Sequence, residues 1–513
     1  MLTVSLLIEI LRTRPRLVFW CAALTQAALW ALIPSLFYAA PPGDVADVLA
    51  VGHEFKFGSE LGPPLAYWLA EIALRAAGSH MFGVYVLSQF CIVLTYWAVF
   101  QLGRATVGER HAVLAVLLMP GISVFTIASP DFGPDTLMMP LWALALLHLW
   151  RAAGESRQLY WLALAVDLSL MLLTSYLALL LIVVLAAFLL VNERGRAAAR
   201  NTAAAGAAIV VAFMTLPSFI LLDQYGISLA PDLARLRSED AVDQNLAAWV
   251  RLVALVVVSH AGAGILIALA SNLSYTRRAE AAAIVRSPID PFARSMIYYF
   301  ALTPAIVVTA LAVISGKATL AGIPPVLVLS GLAVVVAAGD TIMVHHQRIL
   351  GIAWTSLLVL PPLLSAAAVA LLPSAFAVDL KVAQPADEMA RYFTENFERR
   401  TGRKLEVVGG DPRLAAVIAL ASSSRPRLMN YEKSGRAQIA SRRDAAEKGA
   451  IIVWRATDSA GTPPVGIKAE FPDLVAEVPR AFERAVQGRA PLLRVGWGMI
   501  RPQSQAPDAP QAQ

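Results

Sequence analysis

Two acidic stretches of this sequence could do chemistry. The first lies in residues 40–80 and reads PPGDVADVLAVGHEFKFGSELGPPLAYW from Pro41, so that Asp44, Asp47, Glu54 and Glu60 stand near Lys56, Tyr67 and Trp68. The second is SPDFGPD, which carries Asp131 and Asp135. A positioned carboxylate can take the proton of an attacking hydroxyl, and a nearby cation can steady a departing anion. Capping competes with that role: Asp44 follows Gly43 and precedes a helical pattern, and Asp135 opens an apolar run. For Asp47, Glu60 and Asp131 the competing reading is a solvated surface charge. Spacing alone does not choose between them. His53 and His80 lie near these acids, but neither an HExxH motif nor a paired-histidine spacing occurs, which favours interface roles over a metal site.

The elements that must position these residues follow from composition. Of 513 residues 58% are hydrophobic and only 15% charged, with a mean hydropathy of +0.63. That is far from the composition of water-soluble domains, so a soluble enzyme, a disordered chain and a disulfide scaffold are excluded. Cys21 and Cys91 both fall inside apolar runs, as small buried hydrophobes do. A membrane-crossing helix needs about 20 mostly apolar residues. Such runs occur at 17–39, 81–103, 112–128, 135–150, 159–173, 176–191, 202–222, 246–271, 296–315, 319–339 and 349–374, which predicts about eleven transmembrane helices. Thr174, Ser175 and Tyr176 mark the turn that divides 159–191. The small-residue pattern in GAGILIALAS reads as helix packing.

Basic residues orient these spans. With the N-terminus inside, fifteen Lys and Arg, from Arg12, Arg14 and Arg16 to Arg348, fall in cytoplasmic segments. Opposite them stand five: Lys56, Arg75, Arg235, Arg237 and Lys317. This asymmetry and an odd number of spans put both acidic loops and the C-terminus outside. From residue 378 the pattern turns soluble, and the order helix (386–402), strand (405–410), helix (411–422), strand (449–456), strand (492–500) predicts a small α/β domain. The expected organisation is a membrane domain over 1–377, an α/β domain over 378–500 and a disordered tail over 501–513.

Four stretches resemble one family in chain order. GDVADVLAVGHEFKFGSELGPPLAYW, with Gly43-Asp44 and Pro63-Pro64-Leu65, is similar to the first-loop signature of the GT-C glycosyltransferases related to protein O-mannosyltransferases and lipid A aminoarabinose transferases, family 39 and its bacterial relatives. PDTLMMPLWALALL from Pro134 resembles the family's second-loop pattern. LLTSYLALLL resembles its Leu-Thr-Lys-Tyr turn, and VVGGDPRLAAVIALASSSRP the Gly-Asp and Arg-Pro pattern of its outer domain. The chain departs from the family at Val45, where an acid is usual, at Gly62, where histidine precedes Pro-Pro, and at Ser175, where lysine stands in the turn.

The resemblance implies a GT-C-like α-helical membrane protein of a bacterial inner membrane, with a periplasmic C-terminal domain. It implies an enzyme that transfers a sugar from a polyprenyl-phosphate donor to a lipid, glycan or protein acceptor on the outer face, with inversion. Asp44 is then the expected general base, and Asp135 orients the acceptor or the loop. Asp47, Glu54, Lys56, Tyr67, Asp131 and Tyr176 are expected to bind substrate, with Lys56, Arg75, Arg235 and Arg237 as replacements for the missing lysine. The lipid-linked sugar and membrane lipids are the expected partners, with no nucleic acid; a divalent ion is the one cofactor left open. The competing class is a transporter or flippase, which needs polar sites near the bilayer midplane. Only Asp167 stands well inside a span, apart from Arg251 near an end.

Overall fold

The computed structural model describes residues 9–59, 61–224, 241–271, 282–314, 322–376, 378–429, 440–472, 474–484, 489 and 491–502. Glu60, Arg235, Arg237, Lys317 and nearly all of the 501–513 tail lie outside the described residues. The chain parts into two compact units, one of Met1–Pro34, Phe82–Ile220 and Ser228–Leu364, the other of Ser35–Met81, Leu221–Ile227 and Ser365–Gln513. The first acidic loop thus belongs to the same unit as the C-terminal segment.

The first unit is helical, and its helices follow the hydropathy. Among the described residues six helices are long and apolar enough to cross a membrane: Pro15–Phe37, Phe82–Thr106, Pro134–Gly154, Thr202–Leu221, Pro291–Leu311 and Gln347–Pro373, of which the first, fourth and last run on into the second unit. The 246–271 run is a helix pair bent by 51° between Ser259 and Ala261, and the 176–191 run is the helix Leu177–Val191, which meets the further helix Glu193–Ala199 at a 107° bend. The remaining three of the eleven expected spans are too short to qualify. Pro120 and Gly121 cut the 112–128 run into a helix ending at Leu118 and two 3₁₀ turns. The 159–173 run ends at Leu172, just before the expected turn, where Ser175 Oγ accepts a 3.3 Å bond from Leu177 N and starts the next helix. The 319–339 run is split into Ile323–Val326 and Ser330–Ala337.

An aromatic cluster sits at the centre of this unit. Phe300 packs edge-on to Trp142 at 5.7 Å and lies 5.0 Å from Phe188, and Trp150 stacks on Phe292. The small-residue helix packs as expected, because a Cβ on Gly262 would come within 2.7 Å of Gly121 O. Asp167, the carboxylate inside a span, pairs with His148 Nδ1 at 2.5 Å. Two short strands, β1 (Ala282–Val285) and β2 (Thr341–Val344), pair antiparallel in the same unit.

The second unit is built on a mixed five-stranded sheet of β3 (Val407–Gly410), β4 (Arg427–Met429), β5 (Ala450–Arg455), β6 (Ala476–Phe482) and β7 (Leu493–Ile500), in the order β4-β3-β5-β7-β6. β3 runs parallel to β4 and β5, whereas β7 is antiparallel to β5 and β6. Every residue of β3 is buried, and so are the first five of β5, as expected for continuous apolar strands covered on both faces. The helix Ala386–Thr401 carries Asp387 and Glu388 in its first turn, Arg399 and Arg400 in its last, and closes on Gly402 in the left-handed region. Its Phe393 packs against Phe482 and Trp497. The predicted helices and strands of this domain are all present, and β4 and β6 add two edge strands that the sequence reading passed over.

Candidate functional site

The first loop folds as two helices in the second unit. Between Val45 and Gly52 every side chain but that of Asp47 is buried, so the VADVLAVG helix is a core element despite its place in a loop. The second helix, Leu65–Ala76, crosses it closely. A Cβ on Gly52 would stand 2.2 Å from Tyr67 O, so glycine is what lets the two backbones meet. Tyr67 itself is only 4% exposed. Gly62 adopts φ +146, a conformation side chains rarely take, and Ser59 and Gly62 bond to each other through their backbones at 3.1 Å. The turn before Pro63-Pro64 is therefore shaped for the glycine found there.

Asp44 stands exposed at the head of the buried helix. Its backbone oxygen accepts the first helical bond, from Val48 N at 3.0 Å, but its side chain makes no capping bond. Asp47 is half-buried one turn further on. Glu54 pairs with Lys56 at 2.5 Å and lies 4.0 Å from Arg427. The loop therefore gathers Asp44, Asp47, Glu54, Lys56 and Tyr67 on two packed helices and their connection.

The strongest electrostatic feature of the loop is one the sequence reading did not assign. Glu71, 2% exposed, receives Arg75 Nε at 2.7 Å and Arg425 Nη2 at 2.9 Å, with His53 Nδ1 at 3.2 Å. Burial works to raise the Glu71 carboxyl, yet the Arg75 bond, the Arg425 charge and His53 together hold it below the ordinary glutamate value. Arg75 also lies over the Phe55 ring at 5.0 Å. The i,i+4 spacing of Glu71 and Arg75 was readable as a helical pair; the arrival of Arg425 from more than three hundred residues away was not.

The second acidic loop lies in the first unit. Asp135, in the first turn of its helix, accepts a 2.7 Å bond from Gly322 N. Gly322 is left-handed at φ +78, and a Cβ there would meet Leu177 at 3.5 Å, next to Tyr176. Asp135 thus ties its helix to the turn that opens Ile323–Val326, beside Leu177 in the helix that Tyr176 caps. Asp131 O accepts from Thr136 Oγ1 at 2.7 Å, which closes the loop on itself. Among the described residues no three His, Cys, Asp or Glu form a group that could hold a metal ion, so no donor set for a divalent ion is assigned.

Residues 62–220 match the model of a family described as dolichyl-phosphate-mannose-protein mannosyltransferase. The fold is that of an α-helical multispanning membrane protein of the GT-C type. ArnT from Cupriavidus metallidurans, solved bound to undecaprenyl phosphate, superposes with a TM-score of 0.56 at 13% identity, covering 94% of this chain and 97% of that one. The apo structure of the same protein gives a TM-score of 0.47 at 12% identity, covering 95% and 98%. No curated protein sequence matches the chain.

Proposed function

We propose that this chain is a membrane glycosyltransferase that moves a sugar from a polyprenyl-phosphate donor to an acceptor hydroxyl on the outer face of a bacterial inner membrane. The observation that carries the reading is Asp44, an exposed carboxylate at the head of an otherwise buried helix, in a chain whose fold is that of a protein solved with undecaprenyl phosphate. In this reaction Asp44 takes the proton of the acceptor hydroxyl as its oxygen attacks the anomeric carbon. The bond from that carbon to the phosphate oxygen breaks, and polyprenyl phosphate leaves from the opposite face. One displacement inverts the anomeric centre, and the base must come within about 3 Å of the attacking oxygen. Lys56 and Arg75, both about half-exposed, are the first-loop cations available to the departing phosphate.

The remaining assignments follow from this reading. Asp47 and Tyr67 shape the first-loop side of the acceptor site, and Glu54 sets the position of Lys56. Asp135 orients the second loop through Gly322, with Asp131 and Tyr176 beside it. The bias of basic residues supports an outward-facing first loop and C-terminal domain. The test offers radiolabelled polyprenyl-phosphate sugars to membranes with and without the chain. Transfer that depends on the chain and yields the inverted anomer is expected. Failure of every polyprenyl-phosphate sugar, or use of a nucleotide sugar instead, would remove the reading.

A further inference from the structure

The segment GGDPR is built as a launching point for one side chain. Gly410 ends β3 at φ +108, where a Cβ would collide with Val453 O. Asp411 then caps the next helix, its Oδ1 accepting from Leu414 N at 3.0 Å, and Pro412 fills the first helical position. This fixes Arg413 in the first turn of the helix Pro412–Ala421. Its guanidinium spans the chain just before Asp44: Nη1 donates to Gly43 O, and Nη2 donates to Pro41 O at 2.9 Å. Nε is buried and has no hydrogen-bond partner, so both side-chain bonds of Arg413 go to the loop. Beyond the same helix, Arg425 sits at φ +46, a strained value for a residue with a side chain. Its Nη2 donates to Leu49 O at 3.1 Å and to Glu71.

Two arginines of the C-terminal module therefore hold the Val45–Gly52 helix at both ends, through backbone carbonyls that no change of loop side chain could replace. An eight-residue helix has no stability of its own. We propose that Arg413 is a positioning residue for Asp44: the C-terminal α/β module fixes the approach of the base, and thereby controls the rate of the transfer step and not the binding of donor. A guanidinium suits the task because its rigid planar fork presents two fixed N–H groups to carbonyls two residues apart, whereas an ammonium offers rotatable donors from a single point.

The test uses the full-length protein in detergent micelles, as Arg413→Ala and Arg413→Lys beside wild type. Hydrogen exchange is followed in peptides covering 41–52 and in peptides of β5 and β7, and kcat and donor KM are measured for sugar transfer. Two charge-assisted bonds are lost, so exchange in 41–52 should quicken about tenfold or more in Arg413→Ala, with β5 and β7 unchanged. Arg413→Lys should fall between it and wild type. Alongside, kcat should drop about tenfold or more while donor KM moves less than about threefold. Unchanged exchange in 41–52 would overturn the proposal, as would a raised KM with kcat intact, which would make Arg413 a substrate contact. Should Arg413→Ala fail to fold, the lysine variant decides by the same exchange readout. The kinetic arm rests on the reading of Asp44 as base; the exchange arm does not, so a protein without transferase activity would still test the clamp.

Discussion

Asp44 and Asp135 occupy the same kind of position, each at the start of a helix after a glycine-containing turn, and the structure uses them in opposite ways. Asp135 is half-buried and spends its carboxylate on the backbone of Gly322. Asp44 is exposed and makes no capping bond, while the chain around it is held by Arg413. At Asp135 the carboxylate holds a distant turn, and at Asp44 the chain just before it is held by Arg413.

Substitutions should separate the two roles. Asp44→Asn keeps the shape and removes the base, so transfer should fall by about 10²- to 10⁴-fold, read as an initial rate at matched protein. Next in size is Glu71, whose loss leaves the partly buried Arg425 without its counter-charge. Glu71→Ala should cost about 3 kcal/mol or more, seen as a lower thermal midpoint. The same pair gives a pH dependence. The Glu71 carboxyl is held below its unfolded value, so its stabilisation is fully present above that value. It is lost as pH falls through the folded value, and a melting series descending into the acid range should show this loss in wild type but not in Glu71→Gln. Asp135→Ala removes the acceptor of one backbone bond and should cost about 1.5 to 3 kcal/mol.

Much of this architecture was legible in the residues, because apolar length is a strong signal and the bilayer leaves few alternatives. All eleven predicted runs contain helix, and the turn at Thr174–Tyr176 falls where Ser175 starts the next helix. What hydropathy could not tell is where a run is cut. Pro120 and Gly121 turn one into 3₁₀ structure, and His260 sits at a bend where its Nε2 reaches Ser330 Oγ at 3.1 Å. The site was legible only as a list of acids. Asp44 and Asp135 look alike in sequence because the partner that distinguishes them lies 187 residues from Asp135 in one case. In the other the partner is an arginine 370 residues from Gly43, bonding to carbonyls that carry no side-chain signature. The Gly-Asp-Pro-Arg and Arg-Pro motifs were visible, but only the fold shows that they act on the first loop.

The most direct measurement is the initial rate of sugar transfer from a polyprenyl-phosphate donor by Asp44→Asn and Asp135→Asn, each normalised to folded protein. The account predicts a fall of about 10²-fold or more for Asp44→Asn and of less than about tenfold for Asp135→Asn. Transfer by Asp44→Asn at the wild-type rate would contradict it.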